Sequence, residues 1–279
     1  MKIVNAISEV RENIKAWRKE GLTVGFVATM GSLHDGHKSL IDRASKENDR
    51  VVVSIFINPL QFGKNEDFDR YPKDIEQDSI ICDSAGADLI FNPDVNEMYG
   101  ENFVTLVDMT GLTETLCGKS RPGHFRGVCT VVTKLFNIVT PDRAYFGQKD
   151  AQQAAIVRKM AQDLNMDIEV ITCPTVREAD GLAKSSRNAY LNNVERKVAT
   201  VLYGALEAAE HKFQNGSRKS KEIIAAIEEK LGTEKMVEMD YAEVVDLHTL
   251  KPISTVKSPA LIAVAIYIGK TRLIDNIII

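Results

Sequence analysis

The chain of 279 residues is 44% hydrophobic and 27% charged, with a formal net charge of −4, the profile of an ordinary globular protein. That balance argues against a surface built to cover nucleic-acid phosphates, so any anion site must be a local gathering of Lys, Arg, His and backbone N–H groups. No apolar stretch is long enough to span a bilayer and the N-terminus lacks a secretory h-region, which makes the cytoplasm the expected compartment and a membrane partner unexpected.

In chain order, "TVGFVAT" (23–29), "RVVVSIFI" (50–57), "ADLIF" (87–91), "RAYF" (143–146) and "DIEVI" (167–171) read as short buried strands. Their nearly continuous apolar runs suit a parallel sheet covered on both faces. Stretches 37–48, 73–86, 127–139 and 150–164 between them read as helices, the first placing Leu40, Ile41 and Ala44 on one face. Alternating strand and helix predicts right-handed crossovers and an open α/β sheet, with ligands at the carboxyl ends of the strands. After "READGLAKSSRNAYL" (177–191) the pattern changes: helical stretches at 193–214 and 219–232 precede strand-like runs at 239–246 and 260–268. This predicts a smaller α+β domain with its boundary near Val176 and Arg177. Cys82, Cys117, Cys129 and Cys173 are widely spaced without a C-x-x-C pair, which disfavours structural zinc and a redox motif.

Four clusters of polar residues fall at or just beyond the predicted strand ends. In "TMGSLHDGH" (29–37), Gly31 and Gly36 allow tight backbone geometry at a helix N-terminus, a ready phosphate site, and His34 and His37 can address the same phosphate oxygens. Their spacing is not the i, i+4 of a helical zinc pair. In "FINPLQF" (56–62), Asn58 and Gln61 are amides, each offering donor and acceptor to hydroxyls or a carboxylate. In "YFGQKDAQQ" (145–153), Gly147 lets a ligand approach, Lys149 supplies a point charge, Asp150 accepts from ribose or caps the helix, and Gln153 lies on the first turn. In "LAKSSRN" (182–188), Lys184, Ser185, Ser186 and Arg187 can wrap a polyphosphate and neutralise a pyrophosphate leaving group.

In this order and spacing, with "RYPKD", "SRPGHFRGV", "VREADGLAKSSRN" and the closing "RLIDN", the segments resemble the pantothenate synthetases (pantoate:beta-alanine ligases) of the HIGH/KMSKS nucleotidyltransferase superfamily, over essentially the whole chain. The resemblance implies a Rossmann-like domain at 1–176, a smaller lid domain at 177–279, a homodimer, and condensation of pantoate with beta-alanine through pantoyl adenylate at the expense of ATP, with Mg²⁺. It implies ATP contacts from Met30, Gly31, Ser32, Leu33, His34, Asp35, Gly36 and His37, from Gly147, Gln148, Lys149 and Asp150, from Val176, and from Lys184 to Arg187. His37, with His34 and Lys149, would be catalytic. Gln61 and Gln153 would hold pantoate, with Gln61 also bordering beta-alanine. Arg121 and His124, in "RPGHF", would serve the site or the subunit contact, and the resemblance does not identify the metal ligands. Gln148 and Lys184 stand where glutamate and an apolar residue are common in that family.

Three other classes compete with this reading. A plain nucleotidylyltransferase would share the first and fourth clusters but needs no amine site. An aminoacyl-tRNA synthetase is disfavoured by the acidic balance and the lack of a tRNA-binding appendage. A non-catalytic nucleotide-binding module leaves the amides at Gln61 and Gln153 unexplained.

Overall fold

The computed structural model describes residues 1–63 and 66–279. Their elements run β1 (Lys2–Val4), α1 (Ile7–Lys19), β2 (Val24–Thr29), α2 (Asp35–Glu47), β3 (Arg50–Ile55), α3 (Ile75–Ser84), β4 (Leu89–Phe91), α4 (Val95–Met98), α5 (Leu116–Ser120), α6 (His124–Val139), β5 (Arg143–Gly147), α7 (Ala151–Asp163) and β6 (Glu169–Cys173). There follow α8 (Asn193–Val198), α9 (Val201–Gln214), α10 (Ser220–Leu231), β7 (Val237–Asp246), β8 (Ala260–Ile268) and β9 (Thr271–Ile278). The chain divides into two compact units. One comprises Met1–Met109, Arg121–Gly147 and Gln153–Pro174, the other Thr110–Ser120, Gln148–Gln152 and Thr175–Ile279.

The first unit holds the expected open parallel sheet, in the order β1-β4-β3-β2-β5-β6, and every pairing is parallel. The central strands are buried along almost their whole length because both faces are covered. Alternate residues of β2 feed opposite layers. Val27 packs with Leu40, Ile41 and Ala44 of α2, while Phe26 meets Phe136 of α6 edge to face at 6.2 Å. From β2 the chain winds outward through β3 and β4, then returns to place β5 on the other side of β2. The switch point therefore lies between β2 and β5, whose carboxyl ends carry two of the predicted clusters.

The second unit is built on an antiparallel sheet, β7-β8-β9. Ile262, Val264 and Ile266 of β8 share one apolar core with Leu202 and Leu206 of α9 and with Ile223 and Ile227 of α10. Against the single cut expected at Val176 and Arg177, this unit also takes two short earlier segments. Both are anchored locally: Gln152 donates to the carbonyls of Leu112 and Thr115, each at 2.8 Å, and Asn276 of β9 holds the backbone of Gln148 and Lys149. The helix read as continuous over 193–214 is interrupted at Ala199 and Thr200. All four cysteines are buried free thiols, and desolvation pushes Cys82 up to about 12 and Cys129 up to about 11.

Candidate active site

In the first unit, β2 ends at Thr29, whose hydroxyl donates to the Ser54 carbonyl of β3 and accepts from the Gly31 N–H. The chain then turns through two left-handed residues, Gly31 (φ 85°) and Ser32 (φ 52°). The turn aims the neighbouring N–H groups of Ser32 and Leu33 at one point, an anion-binding concavity. Here the anion is internal: Asp78 of α3 accepts from Ser32 N–H at 3.0 Å and from Leu33 N–H at 2.7 Å. Burial pushes the Asp78 carboxyl above the ordinary carboxylate range, while the Leu33 and Ser32 N–H groups pull it back.

His34 caps α2, its Nδ1 accepting from Gly36 N–H at 3.1 Å, and His37 Nδ1 accepts from His34 N–H at 3.3 Å. A backbone N–H can only donate, so each Nδ1 is unprotonated and each neutral imidazole carries its proton on Nε2. The two rings lie 4.1 Å apart, centre to centre. The turn thus brings together two Nε2–H donors beside a helix N-terminus, a pairing suited to phosphate oxygens. Asp35 opens α2 and is exposed.

The amides behind β3 are wired just as tightly. Asn58 is 1% exposed; its Oδ1 accepts from Leu60 N–H and from the Tyr99 hydroxyl, and its Nδ2 donates to Gly127 O and to Gln61 Oε1. Leu60 N–H only donates and Gly127 C=O only accepts, so the orientation of Asn58 is fixed. That of Gln61 follows: Oε1 is consumed, and Nε2 is the donor end, 2.9 Å from Met30 Sδ. Gly127 permits this arrangement, since a Cβ there would come within 2.2 Å of Leu60 O.

"RPGHF" completes the turn from below. His124 Nδ1 donates to Gln61 O at 2.8 Å, leaving Nε2 to accept from Arg121 at 3.1 Å, and Arg121 forks onto both oxygens of Glu66. Burial alone would raise Glu66, yet the bond and charge of Arg121 outweigh it and hold the carboxyl below its usual range. Arg121 and His124 therefore brace Gln61 through its backbone. Gln153 sits half-buried on the first turn of α7, whereas its neighbour Gln152 is buried and structural.

In the second unit, residues 148–150 form a single 3₁₀ turn against β9. Gln148 and Asn276 exchange side-chain and backbone hydrogen bonds at 2.8 and 3.0 Å, and Lys149 Nζ lies 3.9 Å from Asp150. Val176 and Lys184 meet across a small hairpin, Lys184 N–H donating to Val176 O at 2.9 Å, with Arg177 bridged to Ala183. Gly181 (φ 89°) closes it, because a Cβ there would strike the Tyr203 ring. Lys184 Nζ pairs with Glu178 at 2.9 Å, and Ser185 caps the turn 186–190 through Arg187 N–H. Arg177 clamps Asp275 of β9 with two hydrogen bonds and stacks on Tyr203 at 4.2 Å. Burial pushes Asp275 up against the pull of Arg177.

Four supporting residues escaped the sequence reading: Asp78, Tyr99, Asp275 and Asn276. The last two lie in "RLIDN", which carried a resemblance without a role. Its signal was an Asp-Asn pair inside an otherwise apolar strand, the mark of buried polar groups with partners elsewhere.

Residues 2–278 match the family model described as Pantoate-beta-alanine ligase. A pantothenate synthetase from Clostridium acetobutylicum is 57% identical over 276 residues, covering 99% of this chain and 98% of that one. A crystal structure of pantothenate synthetase from Thermus thermophilus superposes with a TM-score of 0.93 at 47% identity, covering 99% of each chain. That of a pantoate-beta-alanine ligase from Francisella tularensis, complexed with beta-gamma ATP and beta-alanine, gives 0.83 at 35% identity, covering 99% of this chain and 97% of that one.

Proposed function

The chain belongs to the pantoate–beta-alanine ligase family, and from that premise we propose how its residues carry the ATP-dependent condensation of pantoate with beta-alanine. In the first step a pantoate carboxylate oxygen bonds to the α-phosphorus of ATP, the bond from that phosphorus to the bridging oxygen breaks, and pyrophosphate leaves with the electron pair. In the second, the beta-alanine amine attacks the acyl carbon of pantoyl adenylate, the C–O bond to phosphate breaks, and AMP leaves as the amine sheds a proton. Neither step needs a protein nucleophile; both need positioning and neutralisation of charge.

The observation that carries this reading is the chain of amides ending in Gln61 Nε2–H, fixed beside Met30 where β2 and β3 end. A preset donor suits the carboxylate or hydroxyls of pantoate. Gln61, backed by Asn58, holds pantoate together with Gln153 and borders beta-alanine. The Nε2–H groups of His34 and His37 face the phosphates, within an ATP segment running from Met30 through Gly31, Ser32, Leu33, Asp35 and Gly36. The second unit supplies Gly147-adjacent Gln148, Lys149 and Asp150, then Val176, and Lys184, Ser185, Ser186 and Arg187, whose cations offset charge on the leaving pyrophosphate. Region 177–279 acts as a lid that shields the adenylate from water.

Mg²⁺ fits as a companion of the nucleotide. Among the described residues no three His, Cys, Asp or Glu side chains gather to cage a metal. Mg²⁺ is usually held by substrate phosphates, waters and one or two carboxylates, where it offsets phosphate charge. We take the enzyme to work as a cytoplasmic homodimer, and light scattering at working concentration reads the stoichiometry. No helix among the described residues is long and apolar enough to cross a membrane.

Labelled pyrophosphate exchange into ATP tests the whole reading. Exchange that requires pantoate but not beta-alanine, with amide product only when the amine is added, is the expected result. Exchange supported by a phosphorylated acceptor in place of pantoate, with no amide product when the amine is added, would mark a plain nucleotidylyltransferase, and ATP binding without pantoate-dependent exchange a mere binding module.

A further inference from the structure

Asp78 is 2% exposed, a burial that carboxylates seldom accept without a cation. Among the described residues its partners are two backbone N–H groups, those of Ser32 and Leu33. It fills the concavity of the Gly31–Ser32 turn, where the Ser32 and Leu33 N–H groups converge, a turn of the kind that elsewhere receives an anion. The fit is mutual: a Cβ on Gly31 would stand 3.0 Å from Asp78 Oδ2 and 3.2 Å from Ile55 Cγ2. Ser32, with a side chain and φ of 52°, holds a conformation that costs energy unless its surroundings impose it. Just beyond this turn stands His34, whose N–H and Nδ1 set the imidazole pair.

We propose that Asp78 is a positioning residue of the adenylation step: by locking the Gly31–Ser32 turn from α3 it fixes where the two imidazoles stand. The carboxylate does this because it has acceptors only. An amide of the same shape would turn one donor against a backbone donor, and the turn would lose one bond and gain a repulsion. The Ser32 and Leu33 N–H groups are therefore spent on the protein itself, which leaves the imidazoles and the start of α2 as the groups of this loop that address phosphate. The catalytic part of the proposal rests on the assignment of His34 and His37 to ATP.

The test is Asp78→Asn, read by pantoate-dependent pyrophosphate exchange and by the ring resonances of the five histidines. The expected result is a fall in the exchange kcat of about ten- to hundredfold, with the KM for pantoate within about twofold of wild type. The His34 and His37 resonances should shift while those of His211 and His248 stay. Gly31→Ala, which presses a methyl on the same carboxylate and keeps its charge, should shift the same two histidines even if Asp78→Asn fails to fold. Unmoved His34 and His37 resonances in a folded variant would overturn the proposal, whatever happens to activity. Shifted resonances with wild-type kcat would leave Asp78 as the anchor of the turn and overturn its part in catalysis. His37→Ala with full exchange would instead strike the functional reading on which that part depends.

Discussion

The region around Asn58 and Gln61 and the region around Lys149 and Lys184 are built on opposite plans. In the first, the atom proposed to meet pantoate is uncharged, and its polarity is dictated by backbone groups through a buried chain from Tyr99 to Gln61 Nε2. In the second, the groups proposed to meet phosphate are cations, each near a carboxylate: Lys149 near Asp150, Lys184 on Glu178. An amide chain is set before substrate arrives and is indifferent to salt. In that proposed role an ion-paired lysine would exchange its carboxylate for a phosphate, an exchange that salt screens. One plan suits recognition of a particular acid, the other suits charge that appears and departs with pyrophosphate.

Breaking the brace of the charged region should have the largest effect. Arg177→Ala strands the Asp275 carboxyl, 2% exposed, and should cost about 3–5 kcal/mol of unfolding free energy in urea titrations. A loss under about 1 kcal/mol would show that β9 needs no such clamp. His37→Ala should come next, lowering the adenylation rate by about 2.7–4 kcal/mol of transition-state stabilisation with circular dichroism unchanged. Wild-type burst rates in that variant would remove the imidazole from the chemistry. Lys184→Ala should raise the barrier in kcat/KM for ATP by about 1.5–3 kcal/mol. It should also flatten the dependence of that constant on salt and leave the KM for pantoate in place. A shift in the pantoate KM would mean that the two plans are not separate.

Much of this layout is legible in the sequence, for physical reasons that also mark where legibility stops. Strands β2 to β5 announce themselves because burial on both faces demands unbroken apolar runs, and the part-buried edge strand β6 keeps a short apolar run of its own. Strand β1 has three residues, too few for any period, and β9 breaks its apolar pattern at Asp275 and Asn276. Those two residues look like a turn in one dimension because their partners, Arg177 and Gln148, stand 98 and 128 positions away. Asp78 is hidden in the same way: its helix reads as ordinary, and its partners lie 46 and 45 residues upstream. The clusters proposed to bear the chemistry are local motifs and could be read; the groups that orient them are held by long-range hydrogen bonds and could not. Arg121 and His124 stand between, visible as a motif whose purpose appears only once His124 is seen on the carbonyl of Gln61.

The finest division between the two plans lies at Tyr99. Its hydroxyl is the far end of the amide chain, 2.7 Å from Asn58 Oδ1, and burial pushes that phenol well above its ordinary range. It therefore stays a donor throughout the working pH range. Tyr99→Phe removes one hydrogen bond of a neutral chain, worth about 1 kcal/mol. Leu60 N–H and Gly127 O still orient Asn58, so Gln61 should keep its donor outward but hold it less firmly. The expected outcome is a rise of about fivefold in the KM for pantoate, with the KM for ATP and the salt dependence of the rate as in wild type. If the loss fell on ATP instead, the amide chain would be acting on the nucleotide, and the separation between an uncharged recognition region and a charged phosphate region would have to be abandoned.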